Sequence, residues 1–119
     1  MRALFYDVEK CELEEREVKP YDFEGYCDMI GCDDLDVVSR QFGGKRYAVV
    51  IDDDGLLKPQ PKLSATSSDM LSSLSGNLII FGYQKNNLDF KGLKKTDVRH
   101  IREYLKEFNG RKILMNCDL

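Results

Sequence analysis

The chain has one histidine, three prolines and four cysteines in 119 residues, and each scarcity excludes something. A lone histidine, His100, rules out His-rich metal sites. Set beside Ile101 with no nucleophile motif around it, His100 offers no Ser-His-Asp triad and reads as a surface residue. Acid or base chemistry would fall to carboxylates, lysines or thiols. Cys27 and Cys32 are separated by four residues while Cys11 and Cys117 stand alone, so neither a zinc nor a redox spacing is present. With no apolar signal segment at its start, the chain is expected in the reducing cytoplasm, its four cysteines as free thiols. Apolar runs are short: Leu78–Phe81 covers four residues, against the roughly 20 that a bilayer span needs. No membrane role is expected.

What is present is the composition of one soluble domain, with 42% apolar and 33% charged residues, and the whole of 1–119 is read as a single unit. The net charge is −3, unevenly spread. Residues 1–60 hold 8 basic and 15 acidic side chains, a net of −7, whereas residues 61–119 hold 10 and 6, a net of +4. Duplex binding draws its affinity from neutralised phosphates and favours a basic excess, so general nucleic-acid binding is not expected. The acidic half suits a basic surface on another protein, where complementarity sets encounter rate and orientation. The plainer reading is a solvated acidic surface that keeps the chain soluble.

Arg2 to Val8 alternates as a strand, and Cys11 to Val18, with two strong apolar residues among five charges, suits an exposed edge strand. Phe23, Tyr26, Cys27 and Ile30 recur at helical spacing before Gly31, which ends a short amphipathic helix. Leu35 to Phe42 and Lys45 to Ile51 read as a hairpin joined by Gly43 and Gly44, because a primed two-residue turn requires positive φ at both positions. Asp52-Asp53-Asp54-Gly55 reads as a further tight turn, with Leu56-Leu57-Lys58 leading into a short strand. From 59 to 77 the composition turns to Ser, Pro, Gly and Thr, the signature of a flexible loop. Leu78 to Gly82, apolar throughout, predicts a central strand buried on both faces. Thr96 is placed to cap a helix over 97–108, with Asn109-Gly110 as its stop and a last strand over 111–117. The sum is an α+β fold: a mainly antiparallel sheet of five to seven strands with two packed helices in one compact domain.

The candidate contacts lie on and after the hairpin. Arg40 and Arg46 flank its turn and can neighbour each other across the strands, forming a basic spot near the acidic turn Asp52, Asp53 and Asp54, with Lys58 following. These six residues are the expected partner-binding set, although surface ion pairs without a binding role would look the same. The triple aspartate lacks the alternating ligands and closing Glu of an EF-hand loop, so no metal is assigned, and no cofactor either. Gly43-Gly44-Lys45 lacks the spacing of a phosphate loop.

The stretches Met1 to Leu4, Gly43 to Tyr47, Asp53 to Pro59 and Gly76 to Ile80 together resemble the domain of unknown function 3846 over about residues 2–82. The resemblance carries no catalytic residue over. It implies a setting on phages, plasmids or conjugative elements, where small acidic proteins often inhibit or divert a host protein. The expected function is therefore a non-enzymatic accessory protein that binds and inhibits or modulates a host protein such as a defence nuclease. The alternative is a small-molecule protein that sequesters a nucleotide-like ligand beneath the 59–77 loop, with lysines and arginines meeting phosphates.

Overall fold

The computed structural model describes residues 1–85 and 90–119, and the main chain alone at Leu56. Strands β1 (Arg2–Asp7) and β2 (Glu12–Glu17) precede helix α1 (Phe23–Ile30), and β3 (Leu35–Phe42) and β4 (Lys45–Asp52) follow. A single 3-10 turn at Gly55–Leu57 leads to β5 (Leu63–Thr66), β6 (Ser73–Ser75), β7 (Leu78–Tyr83) and β8 (Phe90–Lys91). Helix α2 (Lys95–Arg102) and the hairpin β9 (Leu105–Phe108) and β10 (Arg111–Leu114) complete the described chain.

Two sheets result. The larger runs β2-β1-β7-β4-β3, antiparallel throughout, with β8 also paired to β7; the smaller runs β6-β5-β10-β9 with one parallel pairing, β5 with β10. Alternation of side chains along a strand explains the layering. Leu4, Tyr6, Tyr47, Val49, Leu78 and Ile80 face the second sheet and α2, meeting Ala65, Leu114, Val98 and Ile101. Their neighbours Ala3, Phe5, Ala48, Val50, Ile79 and Phe81 face the other way and pack on Tyr26 and Ile30 of α1. Strand β7 is thus buried on both faces at the middle of the sheet, as its unbroken apolar run predicts.

The α+β class, the two helices, the edge strand β2 and the β3–β4 hairpin match the sequence reading. Gly43 and Gly44 both have positive φ, 59° and 84°. Helix α1 is capped at its start by Asp22, whose side chain accepts from the Gly25 N–H, and is closed by Gly31 at φ 81°, whose N–H donates to the Cys27 carbonyl.

Other expectations give way. The strands number more than seven and belong to two sheets, not one. The helix read over 97–108 stops at Arg102, and its second half is β9; Asn109-Gly110, at φ 51° and 79°, is a hairpin turn and not a helix stop. Thr96 is not the cap. The helix begins at Lys94, and the Asp97 carboxylate takes the Lys94 N–H at 2.8 Å. The segment 59–77, read as a loop, carries β5 and β6, with Ser64, Ala65, Thr66 and Leu74 buried. Its serines work inside the fold: the Ser64 hydroxyl donates to the Gly76 carbonyl, and the Thr66 and Ser73 hydroxyls meet across the pair. After the aspartates comes the 3-10 turn and no strand until Leu63.

Candidate functional site: the two ends of the β3–β4 hairpin

The β3–β4 hairpin carries charge of opposite sign at its two ends. At the open end, the Asp53 N–H donates to the Asp34 carbonyl at 3.0 Å, which draws the loop before β3 against the turn after β4. Asp33, Asp34, Asp53 and Asp54 are exposed there, and among the described residues none of the four forms an ion pair. Asp52 is different. Its side chain is 10% exposed, binds Lys58 Nζ at 2.8 Å and accepts the Asp54 N–H at 3.0 Å, so it shapes the turn. The hydrogen bond Lys58 donates to Asp52, and the Asp52 charge, raise the Lys58 ammonium above the ordinary lysine range. Leu57 follows on the 3-10 turn and is 82% exposed. On β2 the carboxylates Glu14 and Glu15 have partners: Glu14 binds Arg16 and Lys10, and Glu15 binds Arg2 at 2.9 Å.

The six residues of the sequence-read site do not form one surface. The register pairs Arg40 with Tyr47 and Arg46 with Gln41, which sends the two arginines to opposite faces of the sheet. Arg40 lies buried at 9% exposure, donates to the Ser39 carbonyl, and lowers the pKa of the neighbouring Cys117 thiol against the burial that pushes it up to about 12. Arg46 donates to the Ser39 hydroxyl at 2.7 Å and lies over the Tyr83 ring. Arg46 is six residues up the strand from Asp52, about 20 Å at the rise of extended chain. The basic spot and the acidic turn are therefore at opposite ends. Asp52, Asp53, Asp54 and Lys58 do stay together.

The turn end is built on α2. His100 donates from Nε2 to the Phe42 carbonyl at 2.7 Å and stacks its ring near Tyr47 and Tyr104, so it is half-buried under the Gly43-Gly44 turn and not a free surface residue. Asp97 is 6% exposed and binds Lys45 Nζ, the Tyr47 hydroxyl and the Lys94 N–H. Burial opposes its ionisation, but the hydrogen bonds from Lys45 and the Lys94 N–H outweigh it and hold the carboxyl below the usual aspartate range. Burial, then the Asp97 charge, raises the Tyr47 phenol far above its ordinary value. Beside this cluster is a hollow of about 140 Å³ walled by Lys45, Arg46, Lys91, Lys94, Tyr83 and Asp97, together with Tyr47 and the backbone of Gly82 and Gly92. Lys91, Lys94 and Leu57 escaped the sequence reading; the basic excess of residues 61–119 was the one signal pointing to the lysines.

The hollow beneath the 59–77 segment, about 410 Å³, is lined by four residues of serine and aspartate on that segment, by Leu71, and by Asp118 and Leu119. No lysine or arginine lines it, whereas a second hollow against the same segment, about 350 Å³, is walled by Pro59, Gln60, Pro61 and Lys62 together with Lys58, Asp52 and Glu9. Among the described residues no helix is long and apolar enough to cross a membrane, and no group of His, Cys, Asp and Glu is arranged to hold a metal ion.

A family model, described as Domain of unknown function (DUF3846), matches residues 1–109. The chain belongs to the DUF3846 family. The match extends the motif resemblance of residues 2–82 through α2 and β9, so both ends of the hairpin, and the helix that supports one of them, lie within the DUF3846 region. No curated protein and no solved structure matches the chain.

Proposed function

We propose that this DUF3846 chain is a non-enzymatic accessory protein of a mobile element that binds and inhibits or modulates a host protein through the acidic end of the β3–β4 hairpin. One observation carries the reading: Leu57, 82% exposed, stands beside the exposed carboxylates Asp53 and Asp54, with Asp33 and Asp34 drawn next to them. An apolar anchor ringed by charge is the make-up of a protein-binding patch, in which the anchor supplies affinity and the rim supplies steering. A partner with a basic surface fits, and a nuclease, whose substrate groove must attract phosphates, offers one. A non-catalytic role is supported by how the acid and base groups are used. Asp97 and His100 are occupied in holding α2 to the hairpin turn. The mobile-element setting rests on the family resemblance.

The test compares the tagged protein with two variants in native host lysate, each eluate weighed intact by native mass spectrometry. One variant replaces Asp53 and Asp54 by Asn; the other is Leu57→Ser. A stoichiometric host partner is expected on the parent protein, weakened at least tenfold by either variant and released as salt rises. A partner held equally by all three proteins would remove the acidic end from the contact.

A further inference from the structure

We infer that the hollow at the turn end of the hairpin is a binding site for a phosphoryl group, free or as a phosphate monoester. Three lysines wall it, Lys45, Lys91 and Lys94, against one carboxylate, Asp97, while the Arg46 guanidinium lies on the other face of the sheet. That carboxylate is spent inside the protein. It is 6% exposed, and its oxygens are taken by Lys45, the Tyr47 hydroxyl and the Lys94 N–H. Lys91 and Lys94 are left around the opening with no carboxylate bound to them among the described residues. In a fold whose net charge is −3, this concentration of uncompensated positive charge is local and set against the overall sign.

The size of the hollow narrows the ligand. About 140 Å³ admits a compact oxyanion and excludes a whole nucleotide, so any organic portion would extend into solvent. A phosphoryl group brings nearly two negative charges and three acceptor oxygens in that volume, matching the lysine ammonium donors better than the single charge of a carboxylate. The backbone makes the placement of Lys91 possible. It pairs with Gly82 across β7 and β8, and a Cβ on Gly82 would come within 2.9 Å of the Lys91 Cγ and 3.2 Å of its carbonyl oxygen. Only the absent side chain lets β8 carry Lys91 this close to the opening.

The site is separate from the acidic end, about 20 Å away along β4, so either can fail without the other. Calorimetric titration of the full chain uses inorganic phosphate and adenosine monophosphate as probes, at ionic strength matched with chloride. Saturable one-to-one binding is expected, weakened about tenfold by Lys91→Gln and by Lys94→Gln, the loss of one charge-assisted hydrogen bond each. Lys112→Gln, an exposed lysine on β10 outside the hollow, should bind as the parent does. Tighter binding of adenosine monophosphate names a phosphate ester as the ligand, and tighter binding of inorganic phosphate names the free anion. Urea denaturation of each variant separates lost binding from lost folding. No saturation by either probe up to about 10 mM, or equal affinity in folded Lys91→Gln, Lys94→Gln and parent, would overturn the site.

Discussion

Asp97 concentrates more structural work than any other charged residue of the fold. One carboxylate accepts the N–H of Lys94, the cap residue before α2, holds Lys45 at the hairpin turn and satisfies the Tyr47 hydroxyl in the core. Its carboxyl is held below the usual range in the folded protein, so folding favours the ionised form. The stability this contributes is complete above the unfolded-state value near pH 4 and disappears as pH falls through the lower folded value. Asp97→Asn is therefore expected to lose about 1–3 kcal/mol at pH 7, the cost of a weakened buried charge-assisted bond. The gap to the parent should narrow between pH 7 and pH 3. Urea unfolding at both pH values reads this directly, and a gap of the same size at both would place the effect in packing and not in charge. Nothing in the sequence around Asp97 announces this role, because its partners are 52 and 50 residues away.

At the scale of elements, local signals were reliable where one segment sufficed. Gly31 ended α1, and the paired glycines turned β3 into β4. The error over 97–108 shows why locality can mislead. Val98, Ile101, Leu105 and Phe108 fit a helical stripe, and Asn-Gly fits either a helix stop or a primed hairpin turn. The hairpin prevails because β10 has a partner on its other edge, β5, so the chain gains a second sheet by turning back at Asn109. Positive φ at Gly110, 79°, makes a test: Gly110→Ala should cost about 1–2 kcal/mol through left-handed strain. Denaturation with circular dichroism measures it, and an unchanged midpoint would mean that the turn readily adopts another type. The 59–77 segment was misread for a related reason. Its serines have low strand preference, yet their hydroxyls are consumed by one another and by backbone once β5 is laid beside β10.

At the scale of the molecule, the two sheets share one core and are stitched across it. The Tyr6 hydroxyl donates to the Lys112 carbonyl at 2.6 Å, Arg111 reaches the carbonyls of both Leu63 and Val8, and Gln41 and Asp118 exchange backbone hydrogen bonds. The sheets should therefore melt together. Leu114, 1% exposed between them, gives the check: Leu114→Ala is expected to cost about 2–5 kcal/mol and to unfold in a single transition, coincident by backbone and tyrosine signals. Two separated transitions would show that the sheets are stable independently. The opposed charges at the ends of the hairpin also belong to this scale. They give the molecule an electrical axis that its net charge conceals.

What the sequence determined by itself was everything written in one segment: the α+β class, the edge character of β2, the amphipathic face of α1, the first hairpin and the doubly buried β7. Periodicity, caps and turn residues act over a few positions and can be read in order. Tertiary structure alone decided the second sheet, the burial of Arg40, the pairing of Asp52 with Lys58, the exposure of Leu57 and the gathering of Lys45, Lys91 and Lys94 around one hollow. Each depends on register between distant strands, and register is settled by which apolar faces can be buried together. Arg40 and Arg46 illustrate the point, since neighbours across a turn in sequence lie on opposite faces once the pleat assigns each a side.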